Sequence, residues 1–278
     1  MERKRIEWDG RVALVTGASS GIGLAVTQAL VRRGARVAMV ARSRERLDEA
    51  VHDLGSDRVA AFPLDVCDRV ALVKLPERVV DRFGRLDCVV QSAGVNHRGA
   101  VAERTIEELG GILDANLVAP VLLTRVALPF LKPGGAIVNI ASLAGKVPIR
   151  DEATYSASKA GLRAFGRALG EELRGSGLTV TTVCPGPVDT GFLGDARDVP
   201  PIVFSQPMSS AASVADAVLA SIESARGEVD IPHLSGKLAT LGYLAPALFS
   251  ALRPVLERRG ARNKARFMSG EPGRRRTS

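Results

Sequence analysis

The feature that most restricts the fold is the run Val12-Ala13-Leu14-Val15-Thr16, followed at once by Gly17-Ala18-Ser19-Ser20-Gly21-Ile22-Gly23. A continuous apolar pentapeptide of this kind reads as a strand buried on both faces. Glycines directly after it permit positive φ and close backbone approach. The amphipathic run that follows, 21–33, reads as a helix. Its N-terminus would aim unpaired N–H groups and a positive dipole end at a phosphate. A glycine-rich turn alone is also compatible with a purely structural bend, and the strand–loop–helix context shifts the balance towards a ligand.

The same alternation repeats down the chain. Apolar runs at 36–41, 59–64, 88–92, 136–141 and 179–184 read as strands. The stretches 43–54, 68–83, 105–131 and 155–176 read as helices. Strands alternating with helices imply an α/β fold, a doubly wound parallel sheet in three α/β/α layers. In such sheets ligands bind beyond the carboxyl ends of the strands. With 278 residues and 46% hydrophobic composition, the chain is long enough for one large core.

The formal net charge of +8 is unevenly placed. Residues 251–278 hold nine basic and two acidic side chains, so nearly all of the excess lies there and the body is balanced. A nucleic-acid-binding domain would spread positive charge over a folded face, so no nucleic-acid partner is expected. The three cysteines (Cys67, Cys88, Cys184) and three histidines (His52, His97, His233) are scattered, which predicts neither a disulfide framework nor a metal site. Residues 1–10 lack an apolar stretch and no window holds about 20 uninterrupted apolar residues, so a cytoplasmic location is expected.

Several polar residues fall at the expected strand ends. Val40-Ala41-Arg42-Ser43 closes the second strand with the small Ala41 where an acid would bind a ribose hydroxyl, and with the base Arg42 next to it. Arg42 therefore favours a 2′-phosphate, and NADP(H) over NAD(H); the other reading makes it the start of a solvated helix with Arg44 and Arg46. Tyr155 and Lys159 stand at i and i+4, on one face of a helix. A nearby ammonium stabilises phenolate and so turns a phenol into a usable acid/base. Taken alone this spacing is also that of an ordinary surface pair. Ser142 follows the strand 136–141, where its hydroxyl could bond a substrate oxygen. Asn116 lies in the middle of the helical stretch 105–131. His97 and Arg98, after the Ala93-Gly94 turn, could line a substrate pocket but read rather as solvated loop residues, Cys184 reads as core filler, and Phe192, Leu193 and the segment 199–208 as a loop covering the substrate.

Together these motifs resemble the short-chain dehydrogenase/reductase family, in its roughly 250-residue subtype. The resemblance rests on Thr16-Gly17-x-x-x-Gly21-x-Gly23, Ser92-Ala93-Gly94, Asn116, Ser142, Tyr155-x-x-x-Lys159 and Pro185-Gly186, in the family's order, over about residues 8–232. It implies a Rossmann-type fold and an NADP(H)-dependent oxidoreductase acting on a carbonyl or secondary alcohol. Tyr155 is then the general acid/base, and Lys159 holds the nicotinamide ribose and lowers the Tyr155 pKa. Ser142 polarises the substrate oxygen, and Asn116 holds a water in a proton relay. The cofactor contacts implied are Gly17, Ser19, Ser20, Gly21, Ile22, Gly23, Arg42, Asp65, Val66, Ser92, Ala93, Gly94, Tyr155, Lys159, Pro185, Gly186, Val188 and Thr190. Gln91 departs from the family's usual asparagine, so altered support of the cofactor loop is expected. A homo-oligomer is implied as well. The alternatives are a non-catalytic NADP-binding sensor and a membrane-tethered interaction protein on the same fold.

Beyond Pro232 the resemblance thins. The expected division is a catalytic unit, 8–236, and an extension, 237–278. Residues 238–252 contain no charge, and Arg253, Arg258, Arg259, Arg262, Lys264 and Arg266 follow. Such a segment could lie on an anionic membrane surface, or pack over the cleft or against another subunit. An apolar small-molecule substrate is also expected from the covering loop.

Overall fold

The computed structural model describes residues 7–55 and 57–269. The first six residues and the last part of the basic tail, 270–278, lie outside the described residues. The chain runs β1 (Val12–Thr16), α1 (Gly21–Arg32), β2 (Arg36–Ala41), α2 (Arg44–Leu54), β3 (Val59–Pro63), α3 (Arg69–Phe83) and β4 (Leu86–Gln91). It continues through α4 (Ile106–Leu113), α5 (Ala119–Ala127), β5 (Leu131–Ile140), α6 (Ala153–Glu172) and β6 (Thr179–Pro185). A two-residue pair follows, β7 (Val188–Asp189) with β8 (Ser209–Ser210). The last elements are α7 (Ala211–Ser224), β9 (Glu228–Ile231), α8 (His233–Leu244) and α9 (Pro246–Met268).

Seven strands form one parallel sheet in the order β3-β2-β1-β4-β5-β6-β9. The order reverses between β1 and β4, which opens a crevice at the carboxyl ends of these two strands. Both faces of β1 are covered. Ala13 and Val15 pack with Val26 and Leu30 of α1 and Val214 and Val218 of α7. Val12 and Leu14 pack with Leu72 and Val79 of α3 and Leu123 and Ala127 of α5. That double coverage is why the strand is apolar at every position.

Local chemistry sets the helix ends. The Asp68 carboxylate accepts from the N–H groups of Val70 and Ala71, so residue 68 caps α3 instead of opening it. Gly84, at φ +82°, ends the same helix in the left-handed region. Thr105 and Glu108 form a reciprocal capping box at the start of α4.

The structure differs from the sequence expectation in four places. The helix expected over 105–131 is broken by a π-helical turn, Asp114–Val118, and closes in a 3-10 turn, Leu128–Phe130. β5 begins already at Leu131, and its first residues are exposed. α7 and β9 had no counterpart in the sequence reading. β9 escapes because Glu228 and Asp230 alternate with Val229 and Ile231, too short a pattern to stand out. The boundary expected between 236 and 237 falls inside α8. The helical run Ile106–Phe130 is long and apolar enough to cross a membrane by length and composition; here α4 packs on α6 and α5 on α3.

The basic segment after 252 is part of α9, and α9 is docked on its own chain. A Cβ at Gly260 would overlap the carbonyl of Pro201, so helix and 3-10 turn Pro201–Ser205 touch backbone to backbone. The Asn263 side-chain amide donates to the Phe204 carbonyl at 2.9 Å. Lys264 donates to the carbonyls of Arg197 and Val199 at 2.7 and 2.8 Å. The Phe204 and Phe267 rings lie 5.5 Å apart.

Candidate active site

The glycine loop after β1 is a bare backbone surface. Gly17 adopts φ +67°, and a Cβ there would stand 3.0 Å from the backbone of Ala93. A Cβ at Gly23 would overlap the Gly17 carbonyl, so α1 can close on the loop only through glycine. Gly21, at φ +53°, lies beside the Thr190 side chain. No side chain caps α1, which leaves its first-turn N–H groups available to an anion. Behind the loop, the Thr16 hydroxyl accepts from the N–H groups of both Ser92 and Ala93 at 3.1 Å. Gln91 turns away, donating to Thr124 and Asn139. Support of this turn therefore comes from Thr16, while Gln91 serves the sheet interior.

A cavity of about 810 Å³ runs from this loop past the ends of β4, β5 and β6. Gly17, Ser20, Gly21, Ile22, Gly23, Ser92, Ala93, Gly94, Pro185, Gly186, Val188 and Thr190 line it, together with Ser142, Tyr155 and Lys159. Ser19, Arg42, Asp65, Val66 and Asn116 do not. Arg42 is exposed at the end of β2, while Arg46, one turn further on, reaches the cavity wall. Asp65 follows β3 and accepts from the Cys67 N–H at 2.9 Å.

Tyr155 and Lys159 are both buried on α6. The Lys159 ammonium donates to the Ile140 carbonyl at 2.9 Å and lies 5.7 Å from the centre of the Tyr155 ring. Burial lowers the Lys159 pKa from its ordinary value to about 8. Burial also pushes the Tyr155 phenol up, with the Ser142 hydroxyl pulling the other way. The charges that act on the Tyr155 phenol are Glu152, which raises its pKa, and Arg98, which lowers it. Ser142 stands at the end of the β5 segment and caps the 3-10 turn Leu143–Gly145 by accepting from Ala144.

Asn116 sits in the π-helical turn and is fully buried. Its amide brackets the backbone of Val95, accepting from the N–H at 2.8 Å and donating to the carbonyl at 2.9 Å. It also donates to Ser158 at 3.1 Å. A Cβ on Gly94 would lie 2.9 Å from the Asn116 oxygen and 3.5 Å from the Lys159 nitrogen, so the three groups meet at one point. The π turn, invisible in the sequence, is what brings Asn116 there.

Of the two readings of Arg98, the structure takes the pocket: Arg98 lines the cavity, pairs with the buried Glu152 at 2.7 Å and donates to the Leu193 carbonyl at 2.8 Å, a pairing that the sequence did not suggest. Its loop is drawn inward because the Gly99 N–H bonds the Asp151 carbonyl at 2.8 Å. The turn that Arg98 holds carries Phe192, whose ring is 6.0 Å from that of Tyr155. Asn96 lines the cavity with both amide atoms buried and unpaired, and so does the Gln206 side-chain oxygen. The spacing of Arg46 from Arg42, one helical turn, was a usable signal; Arg98 with Glu152 had none. Cys184, Glu228 and Asp230 converge closely enough to suggest a cation site. The Lys146 ammonium already lies 2.7 Å from both carboxylates, and Arg163 pairs with Glu228 at 3.1 Å.

A bare glycine cradle, an uncapped helix N-terminus and orphaned amides along one cleft fit a nicotinamide dinucleotide. Comparison with known proteins agrees. Residues 11–200 match the short chain dehydrogenase family. The ketoacyl reductase HetN of Nostoc sp. is 36% identical over 248 residues, covering 85% of this chain and 86% of that protein. A monensin polyketide synthase putative ketoacyl reductase of Streptomyces virginiae is 41% identical over 65% of this chain and 71% of its own. A short chain dehydrogenase from Burkholderia cenocepacia, solved in complex with NADP, superimposes with a TM-score of 0.75 at 32% identity, over 81% of this chain and 97% of that one. The chain belongs to the short-chain dehydrogenase/reductase family, as an oxidoreductase of the alcohol/carbonyl class.

Proposed function

We propose that this protein moves a hydride between NADP(H) and a carbonyl or secondary alcohol, with Tyr155 as the general acid/base. The observation that carries the reading is the convergence of Ser142, Tyr155 and Lys159 on one wall of a cleft that begins at the glycine cradle. When bound, the nicotinamide supplies or accepts the hydride. The backbone of Gly21 to Gly23 and the α1 dipole would hold the pyrophosphate. Arg42 and Arg46, one turn apart on the same strand–helix junction, would hold the 2′-phosphate. That assignment agrees with the NADP in the Burkholderia neighbour. Asp65 and Val66 would border the adenine, and Thr190 the carboxamide.

In the reducing direction the Tyr155 phenol donates its proton to the carbonyl oxygen while the Ser142 hydroxyl bonds the same oxygen. Burial keeps the phenol protonated and by itself weakens it as an acid, while the Ser142 hydroxyl and the Arg98 guanidinium pull its pKa back down. Lys159, with a pKa near 8, can pass a proton at neutral pH and replenish that site. Asn116, fixed between Val95 and Ser158 beside Lys159, would position a water on this route.

Tyr155→Phe should bind NADPH within about twofold of the parent and lose roughly 10²–10⁴ in kcat on a ketone that the parent reduces. Fluorescence titration with NADPH and NADH, and absorbance of the reduced cofactor, measure both. Undiminished turnover in the variant, or no nicotinamide binding by the folded parent, would end this reading.

A further inference from the structure

Resting on that reading of the redox site, we infer that the substrate is a ketone or secondary alcohol that carries an aliphatic chain. Its hydrocarbon chain lies in the channel that α8, α9 and the 3-10 turn Pro201–Ser205 build beyond Tyr155. Most of this wall lies beyond residue 200, where the family model ends.

The cleft is polar at one end and aliphatic at the other. Ser142, Tyr155, Lys159 and the unpaired Asn96 gather near the carboxyl ends of the strands. The far wall is Leu234, Leu238 and Leu241, at i, i+4 and i+7 on one face of α8, together with Leu252 and Leu256 of α9. From Leu234 to Leu241 this face extends roughly 10 Å. Leu238 and Leu241 are 60% and 51% exposed although they line the cavity, so their apolar surface faces unfilled space. Apolar area left in water is unfavourable, and a hydrocarbon chain laid along it removes that cost.

A Cβ at Gly242 would stand 2.8 Å from the Phe249 ring, so α8 and α9 approach closely at the turn between them. The 3-10 turn is held under α9 by the Gly260 and Asn263 contacts, and Lys264 ties α9 to the carbonyls of Arg197 and Val199 just before it. These elements wall the apolar end of the cleft. The carbonyl is then the polar head, seated at Ser142 and Tyr155, and the alkyl chain follows the leucine stripe outward.

The test separates binding from turnover. Dansylaminoundecanoic acid serves as the channel probe on the full-length protein, and methyl ketones of four, eight and twelve carbons displace it. Burial of each methylene should tighten displacement by about threefold, approaching the full transfer value. Leu238→Glu and Leu241→Glu should flatten that slope, and since both positions are more than half exposed, NADPH titration should show an unchanged fold. Leu244→Glu changes an equally apolar residue on the same helix that is 73% exposed and does not line the cavity; it should keep the slope. A displacement constant independent of chain length, or a slope lost equally in Leu244→Glu, overturns the proposal. A chain-length slope in displacement without NADPH-linked reduction supports the channel and removes the redox reading. Reduction of all three ketones with equal kcat/KM does the reverse.

Discussion

At the Tyr155 end of the cleft, polar side chains are held by partners from distant elements, whereas along α8 and α9 the leucines stand over open space. Lys159 is fixed to β5, Asn116 to Val95 and Ser158, and Arg98 to Glu152 and Leu193. On the other side Leu238, Leu241 and Leu252 line the cavity while remaining about half exposed. One end has positions defined by hydrogen bonds, which proton transfer requires. The other has a surface defined only by hydrophobicity, which tolerates ligands of different length. The difference teaches that the two ends are separately built, the polar one on α6, the π turn and the end of β5, the aliphatic one on α8 and α9.

The comparison breaks most severely at Arg98. Arg98→Ala leaves Glu152 buried without its cation and should cost about 3–5 kcal/mol in urea unfolding. Arg98→Ala combined with Glu152→Gln should recover most of that loss. A single variant as stable as the parent would show that the pair is solvated in solution.

Lys159→Met sharpens the same contrast with the opposite sign. The native pKa of about 8 lies below the ordinary 10.5, a difference worth roughly 3 kcal/mol against the folded state at neutral pH. Loss of the bond to Ile140 returns about 1 kcal/mol, so the variant should be about 2 kcal/mol more stable and inactive. Between pH 8 and 10.5 the unfolded chain binds more protons than the native one, so parent stability rises across that window. The advantage of the variant is therefore full below pH 8 and fades towards pH 10.5. A variant less stable than the parent at pH 7 would mean that the lysine is stabilising.

The smallest global effect is expected in the extension. Gly260→Ala places a methyl group against the Pro201 carbonyl and should lift α9 off the 3-10 turn. Hydrogen exchange over residues 246–268 should accelerate, while overall stability changes by about 1 kcal/mol or less, since α9 is outside both main cores. Protection of α9 equal to that of the parent would show that its docking does not depend on this backbone contact.

The central strands were legible because they are buried on both faces and so carry runs of apolar residues, as at 12–15 and 37–40. The glycine loop was legible because only glycine serves where φ is positive or backbones touch, as at Gly17 and Gly23. Tyr155 and Lys159 were singled out by their i, i+4 spacing and Ser142 by its place after β5, and all three line one cavity. Asn116 could be named, but not the π turn that aims it, because a one-residue change of helical register leaves no mark in composition. Arg98 and Glu152 could not be paired, since they are 54 residues apart and meet only when two loops close on each other.

The basic, apolar C-terminal segment shows the same limit from another side. Its sequence allowed a membrane surface, another subunit or the cleft as its partner, because hydrophobicity specifies burial without specifying what covers it. Tertiary structure shows one partner of α9, since Gly260 and Asn263 seat it on the chain's own 3-10 turn and Lys264 bonds the carbonyls of Arg197 and Val199 before that turn. What the sequence determined alone was the local chemistry, namely strand, loop, helix and the identity of the reacting groups, because each follows from bonds within a few residues. Which of those groups share a cavity, and what its far wall is made of, depends on contacts between residues remote in the chain, and only the folded molecule sets them.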